Sequence, residues 1–127
     1  MLHLRETPAG AYRRVAVDAR IRGARPAELV ALCFEQLDAE LGAALRADGA
    51  GDRARRSDAL LRAHAALTAL EMGLDPAAPL ATTLRQLYAA GRARLLDSVA
   101  RFDPPALAEL RADMAEVGTA MTGAAAG

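Results

Sequence analysis

The stretch LATTLRQLYAAGRARLLDSVARF, residues 80–102, decides the fold. Leu80, Leu84, Leu87, Tyr88, Gly91, Leu95, Val99 and Phe102 recur at steps of three and four, the spacing that lines one face of an α-helix. Gly91 falls on the apolar face. A glycine inside a helix costs about 1 kcal/mol relative to alanine, so its place there predicts a close helix approach or an open groove. Asp103-Pro104-Pro105 ends this helix and starts another, because an aspartate side chain accepts the unpaired N–H groups of a first turn.

Working outward, Pro76-Ala77-Ala78-Pro79 makes a tight connection to a preceding helix from about Asp52 to Leu74. Leu60, Ala63, Leu67, Leu70 and Leu74 mark its core face, with His64 beside it. Arg53, Arg55, Arg56 and Arg62 form a basic run near its start, partly balanced by Asp52 and Asp58; positive charge there opposes the helix dipole, and this end is expected to fray. Asp48-Gly49-Ala50-Gly51 separates it from a helix over about 26–47. Pro26 suits a first helical position, since its missing N–H has no partner there anyway. Val30, Cys33, Leu37, Leu41, Ala44 and Leu45 form its stripe. Downstream of Asp103, Leu107, Leu110, Met114, Val117 and Met121 form a fourth. Short connections force antiparallel neighbours, so the expected fold is all-α, an antiparallel up-down four-helix bundle over residues 26–121. Residues 1–25 read as an N-terminal arm or short helix, and residues 122–127 as a disordered tail of small residues.

Composition narrows the function. Apolar residues make up 53% of the 127-residue chain, enough for one core, but aromatic residues only 3%. That core is therefore aliphatic and suits close-packed helices. Sixteen basic and sixteen acidic residues cancel, which argues against a nucleic-acid footprint. All the basic residues are arginine, an excess that, like that of alanine, reads as the coding bias of a GC-rich bacterial genome. Cys33 is the lone cysteine, so no intramolecular disulfide forms. No apolar run reaches the ~20 residues of a membrane span, and the first ten residues lack the layout of a secretory signal. A cytoplasmic location is expected.

The inventory holds no glycine-rich phosphate loop, no Ser-His-acid set in a recognisable context and no spaced metal ligands, since His3 and His64 lack partners. Glu35, Asp38 and Glu40 have no histidine to complete a di-iron pattern. No cofactor and no enzymatic activity are expected. What remains is surface: grooves between helices that receive a partner helix by anchors at i, i+3, i+4 and i+7.

Several landmarks then align. Ala11-Tyr12 precedes Val15 and Val17, and Pro26 follows with Leu29, Val30, Leu32, Phe34 and the acidic Glu35. Leu74-Asp75 stands before the loop. Leu80-Ala81-Thr82-Thr83-Leu84 leads to Leu87-Tyr88, and Leu95-Leu96 follows. In order and spacing, from about residue 11 to 121, the chain resembles the flagellin chaperone family, FliS. That family begins A-Y-x-x-V-x-V, continues S-P-x-x-L and later reads L-A-x-N-L-x-x-L-Y. The chain departs from it at Arg25 for the capping serine, at Ala78-Pro79 for a Gly-Gly loop, at Thr83 for asparagine, and at Ala90, Gly91 and Met121, which thin the bulky side chains of the last two helices.

The resemblance implies an export chaperone that binds the disordered C-terminal segment of flagellin, prevents premature polymerisation and assists secretion, with other flagellar export components as further partners. It implies a partner surface around Tyr12, Val15, Leu84, Leu87, Tyr88, Gly91 and Leu95, with the N-terminal Tyr12 and Val15 docking near the third helix. Other readings of the bundle are an adaptor or secretion chaperone for a different helical cargo, or a structural homodimer. When free, a monomer or weak dimer is expected.

Overall fold

A computed structural model describes residues 26–126. Within them lie α1 (Pro26–Gly49), α2 (Arg53–Met72), α3 (Ala81–Ala100) and α4 (Pro104–Ala126). No strand occurs among the described residues. The helices form the expected antiparallel four-helix bundle. The arm, with Tyr12 and Val15, lies outside the described residues.

Each boundary has a local cause. Gly51 takes a φ of 71° in the α1–α2 turn, a conformation that suits glycine. Asp52 then caps α2: its side chain accepts the Arg55 N–H at 3.0 Å and also pairs with the Arg55 guanidinium. Arg56 donates to Asp48 at 2.8 Å and lies over the Phe102 ring at 4.6 Å. Arg55 and Arg56, two members of the run expected to loosen this end, are thus matched by carboxylates and a ring face. Asp103 accepts the Ala106 N–H and so caps α4 as expected.

The helix ends differ from the sequence reading by a few residues. α2 stops at Met72, where Gly73 closes the last turn onto Ala69 and Glu71, so Leu74 lies beyond the helix and is half-buried. α3 begins at Ala81; Leu80 is its uncapped first flank and stands exposed at 59%. α4 runs through 122–126, the residues read as a disordered tail. Alanine is the strongest helix former, and Ala124, Ala125 and Ala126 offset the cost of Gly123.

The core is aliphatic. Leu37, Leu41, Leu60, Leu67, Leu95, Leu107 and Leu110 are almost wholly buried, together with Tyr88. Small residues, among them Ala44, Ala63 and Ala66, let the helices approach. On α3 the buried stripe is Leu84, Tyr88, Gly91, Leu95 and Ser98, in regular steps of four and three. Val99, one position further round, is 37% exposed, and Phe102 lies outside the helix. A Cβ at Gly91 would lie 3.1 Å from the Leu67 side chain, which is the close approach that glycine permits.

Cross-helix ion pairs follow the packing order: Arg62 with Glu40 joins α2 to α1, Arg92 with Glu71 joins α3 to α2, and Arg111 with Asp38 joins α4 to α1. α1 and α2 share the largest interface. α4 packs against α1 but touches α3 only lightly.

Candidate functional site

That uneven packing leaves α4 flanked by a groove on each side. Toward α3, a groove of about 470 Å³ runs beside the α3–α4 turn and is lined by Arg94, Asp97, Ser98, Arg101, Leu107 and Leu110 among others. Arg94 reaches across it to Asp113 at 3.4 Å, both side chains being largely exposed. A pair in that setting adds little stability, so the seam is held mainly by the apolar edge. At the other end of α3 and α4, Leu87, Val117 and Met121 are only partly buried and lean on the core.

Toward α1, a groove of about 540 Å³ has Phe34, Leu37 and Met114 as its floor. Gly118 sits against Phe34, where a Cβ would approach the ring to 3.0 Å. Phe34 in turn meets Tyr88 with ring centroids 6.4 Å apart and planes tilted by 59°, a favourable aromatic geometry. Arg111 holds Asp38 through two hydrogen bonds, at 2.9 and 3.2 Å. The carboxylate bonds hold the Arg111 guanidinium more firmly protonated than usual.

Of the residues expected to face a partner, Leu84, Tyr88, Gly91 and Leu95 are buried in the core, and Leu87 is partly exposed. Four of these five described residues therefore belong to the bundle wall. Burial, and to a lesser degree Cys33, pushes the Tyr88 hydroxyl up to about 12, and burial pushes the Cys33 thiol up to about 11. Both stay protonated at neutral pH, and Cys33 acts as a small apolar side chain rather than a nucleophile. His64 is pulled below its usual range, first by burial and then by the Arg92 charge.

Sequence reasoning missed the α1–α4 groove. Its signal was present: Gly118 interrupts the apolar stripe of α4 three residues from Met121, and Phe34 lies next to Cys33 rather than on the main α1 stripe.

Among the described residues no group of three or more His, Cys, Asp or Glu side chains is placed to hold a metal ion. No described helix is long and apolar enough to cross a membrane. The site offers shape, apolar area and charge. No curated protein matches the chain. The family model for flagellar protein FliS matches residues 8–126, nearly its whole length. With the four-helix frame that its sequence landmarks imply, the chain is a member of the FliS family of flagellar export chaperones.

Proposed function

We propose that this protein is a cytoplasmic chaperone, without catalytic activity, that covers the C-terminal segment of flagellin and keeps it from polymerising before export. The observation that carries this reading is the lightly packed α3–α4 seam, with the partly buried Leu87, Val117 and Met121 at one end and the Leu107–Leu110 groove at the other. A disordered amphipathic segment can lay its apolar anchors there at helical spacing. Leu84, Tyr88, Gly91 and Leu95 back the seam from beneath. They act by setting its shape, and they meet the cargo only where α4 yields.

The logic is thermodynamic. A disordered segment is ordered as it binds, so part of the contact energy is spent and the complex stays reversible. Release at the export machinery needs that reversibility. Tyr12 and Val15 belong to this reading as an arm that covers apolar surface in the free protein and moves aside for cargo.

Co-purification tests it. Full-length flagellin from the same host should be retained by the tagged chaperone, and flagellin lacking its C-terminal segment should not. Equal retention of both would refute the assignment of the segment. The variant Val117→Asp, with its helicity verified, should weaken retention at least tenfold, since it places an unpaired charge in the seam.

A further inference from the structure

Helix α4 is fastened unequally on its two sides. On the α1 side, Asp38 accepts two hydrogen bonds from Arg111, at 2.9 and 3.2 Å. The α4 backbone at Gly118 comes so near Phe34 that a Cβ would lie 3.0 Å from the ring. On the α3 side there is only light contact and the exposed Arg94–Asp113 pair at 3.4 Å. The turn between α3 and α4 is pinned. Phe102 lies under the Arg56 guanidinium, 4.6 Å from the ring centroid, and Asp48 holds Arg56 at 2.8 Å. Arg101, just before it, is extended at φ −145° and ψ 95°, so a short non-helical link joins the two helices. At the other end of the seam, Leu87, Val117 and Met121 are only partly buried. Behind α4, the α1–α4 groove leaves clearance. Its α4 wall there carries the small residues Ala115, Gly118, Thr119 and Thr122, and the Thr122 hydroxyl donates back to the Gly118 carbonyl at 2.8 Å.

From this asymmetry we infer that α4 is a rocking helix. It pivots at the turn held by Phe102, rolls on α1 over the Gly118–Phe34 contact into the clearance of the α1–α4 groove, and so opens the α3–α4 seam at its Leu87–Met121 end. The Arg111 side chain is long and its pair with Asp38 is partly exposed, so that tether follows the roll. The Arg94–Asp113 pair parts at little cost, being exposed. Opening bares Leu84, which the closed bundle buries. A packed helix sliding over its neighbour about a short link is a hinge-and-shear movement, and a seam with few apolar contacts is where local opening costs least. One step rests on the flagellin reading: the same opening lets apolar anchors of the segment reach Leu84 and its α3 neighbours. The rocking itself does not depend on it.

A thiol at position 84 of the full-length protein, Leu84→Cys in a Cys33→Ala background, reports the opening through its labelling by dithiobis(nitrobenzoic acid). In low urea the rate should be nearly independent of urea and at least roughly tenfold faster than global unfolding permits. Ala115→Trp, which fills the clearance from an exposed position, should slow labelling roughly tenfold beyond any change in its global stability. Glu116→Trp, exposed on α4 and lining neither groove, should leave the rate within about twofold. Spin labels at the exposed positions 90 and 120, in the same Cys33→Ala background, give a second readout that spares Leu84: a minor population at longer distance, lost in Ala115→Trp. Equal rates in the two tryptophan variants, labelling that tracks global unfolding, or a single distance would overturn the inference. With a peptide of the flagellin C-terminal region, Ala115→Trp should bind at least roughly tenfold more weakly than Glu116→Trp. Equal binding would overturn the cargo step. A parent protein that binds no peptide would sink the flagellin reading instead, and the labelling rates would still decide the rocking.

Discussion

Gly118→Ala separates two opposed effects, and the structure decides between them. Replacing a glycine within a helix by alanine gains about 1 kcal/mol from backbone propensity. At Gly118, however, the added Cβ would lie 3.0 Å from both Cδ1 and Cγ of Phe34 and 3.3 Å from its Cβ. Rotation of the ring cannot relieve the last contact, because the Phe34 Cβ is fixed to the α1 backbone. The ring itself is 8% exposed and abuts Tyr88, so it has little room to turn. Relief requires α4 to move away from α1, and overpacking of this kind costs about 1–3 kcal/mol. The net expectation is a loss of about 1 kcal/mol, or a fall in Tm of roughly 3–5 °C for a chain of this size. Gly49→Ala is the control, since nothing lies within 4 Å of its added Cβ. It should stabilise by up to about 0.5 kcal/mol, its place at the helix end limiting the gain. Urea unfolding followed by circular dichroism measures both. A Gly118→Ala protein as stable as Gly49→Ala would refute the claim that the two helices touch at Phe34.

Three further outcomes follow from the same contacts. Leu95→Ala removes a side chain with no exposed surface and should cost about 2–5 kcal/mol in urea unfolding. Asp52→Ala deletes the cap of α2 and its bond to the Arg55 N–H; a loss of about 1 kcal/mol is expected, with hydrogen exchange rising first in residues 53–56. His64 has a lowered pKa in the folded protein, so the unfolded chain binds its proton more readily. Its stabilising contribution is complete above the ordinary imidazole range, about 6.5, and fades as pH falls below it. His64→Gln should flatten the melting temperature between pH 7.5 and 5.5 relative to the parent.

The helical frame was legible because its causes are local. Residues 80–102 carry a 3.6-residue period, Asp52 and Asp103 sit where caps are needed, and Gly51 supplies the turn. The site was less legible because a wall and a groove share one periodicity. Leu84, Tyr88, Gly91 and Leu95 satisfy the pattern of a docking stripe and of a core stripe equally well, and only the packing of α2 and α4 over them shows which they are. The same holds for Val99 and Ser98, where one step of three instead of four places the serine inside and the valine out. Gly91 was read as a sign of close approach or a groove, and it serves close approach, against Leu67. Gly118 likewise serves close approach, against Phe34, 84 positions away in the chain and beyond any local pattern.

Calorimetric titration of the full-length protein with a peptide of the C-terminal region of its host's flagellin tests the central claim most directly. Saturable one-to-one binding with a negative heat-capacity change, the mark of apolar burial coupled to folding, is the predicted result. No binding at high micromolar concentration, with both partners intact, would contradict it and assign the bundle to a different helical cargo.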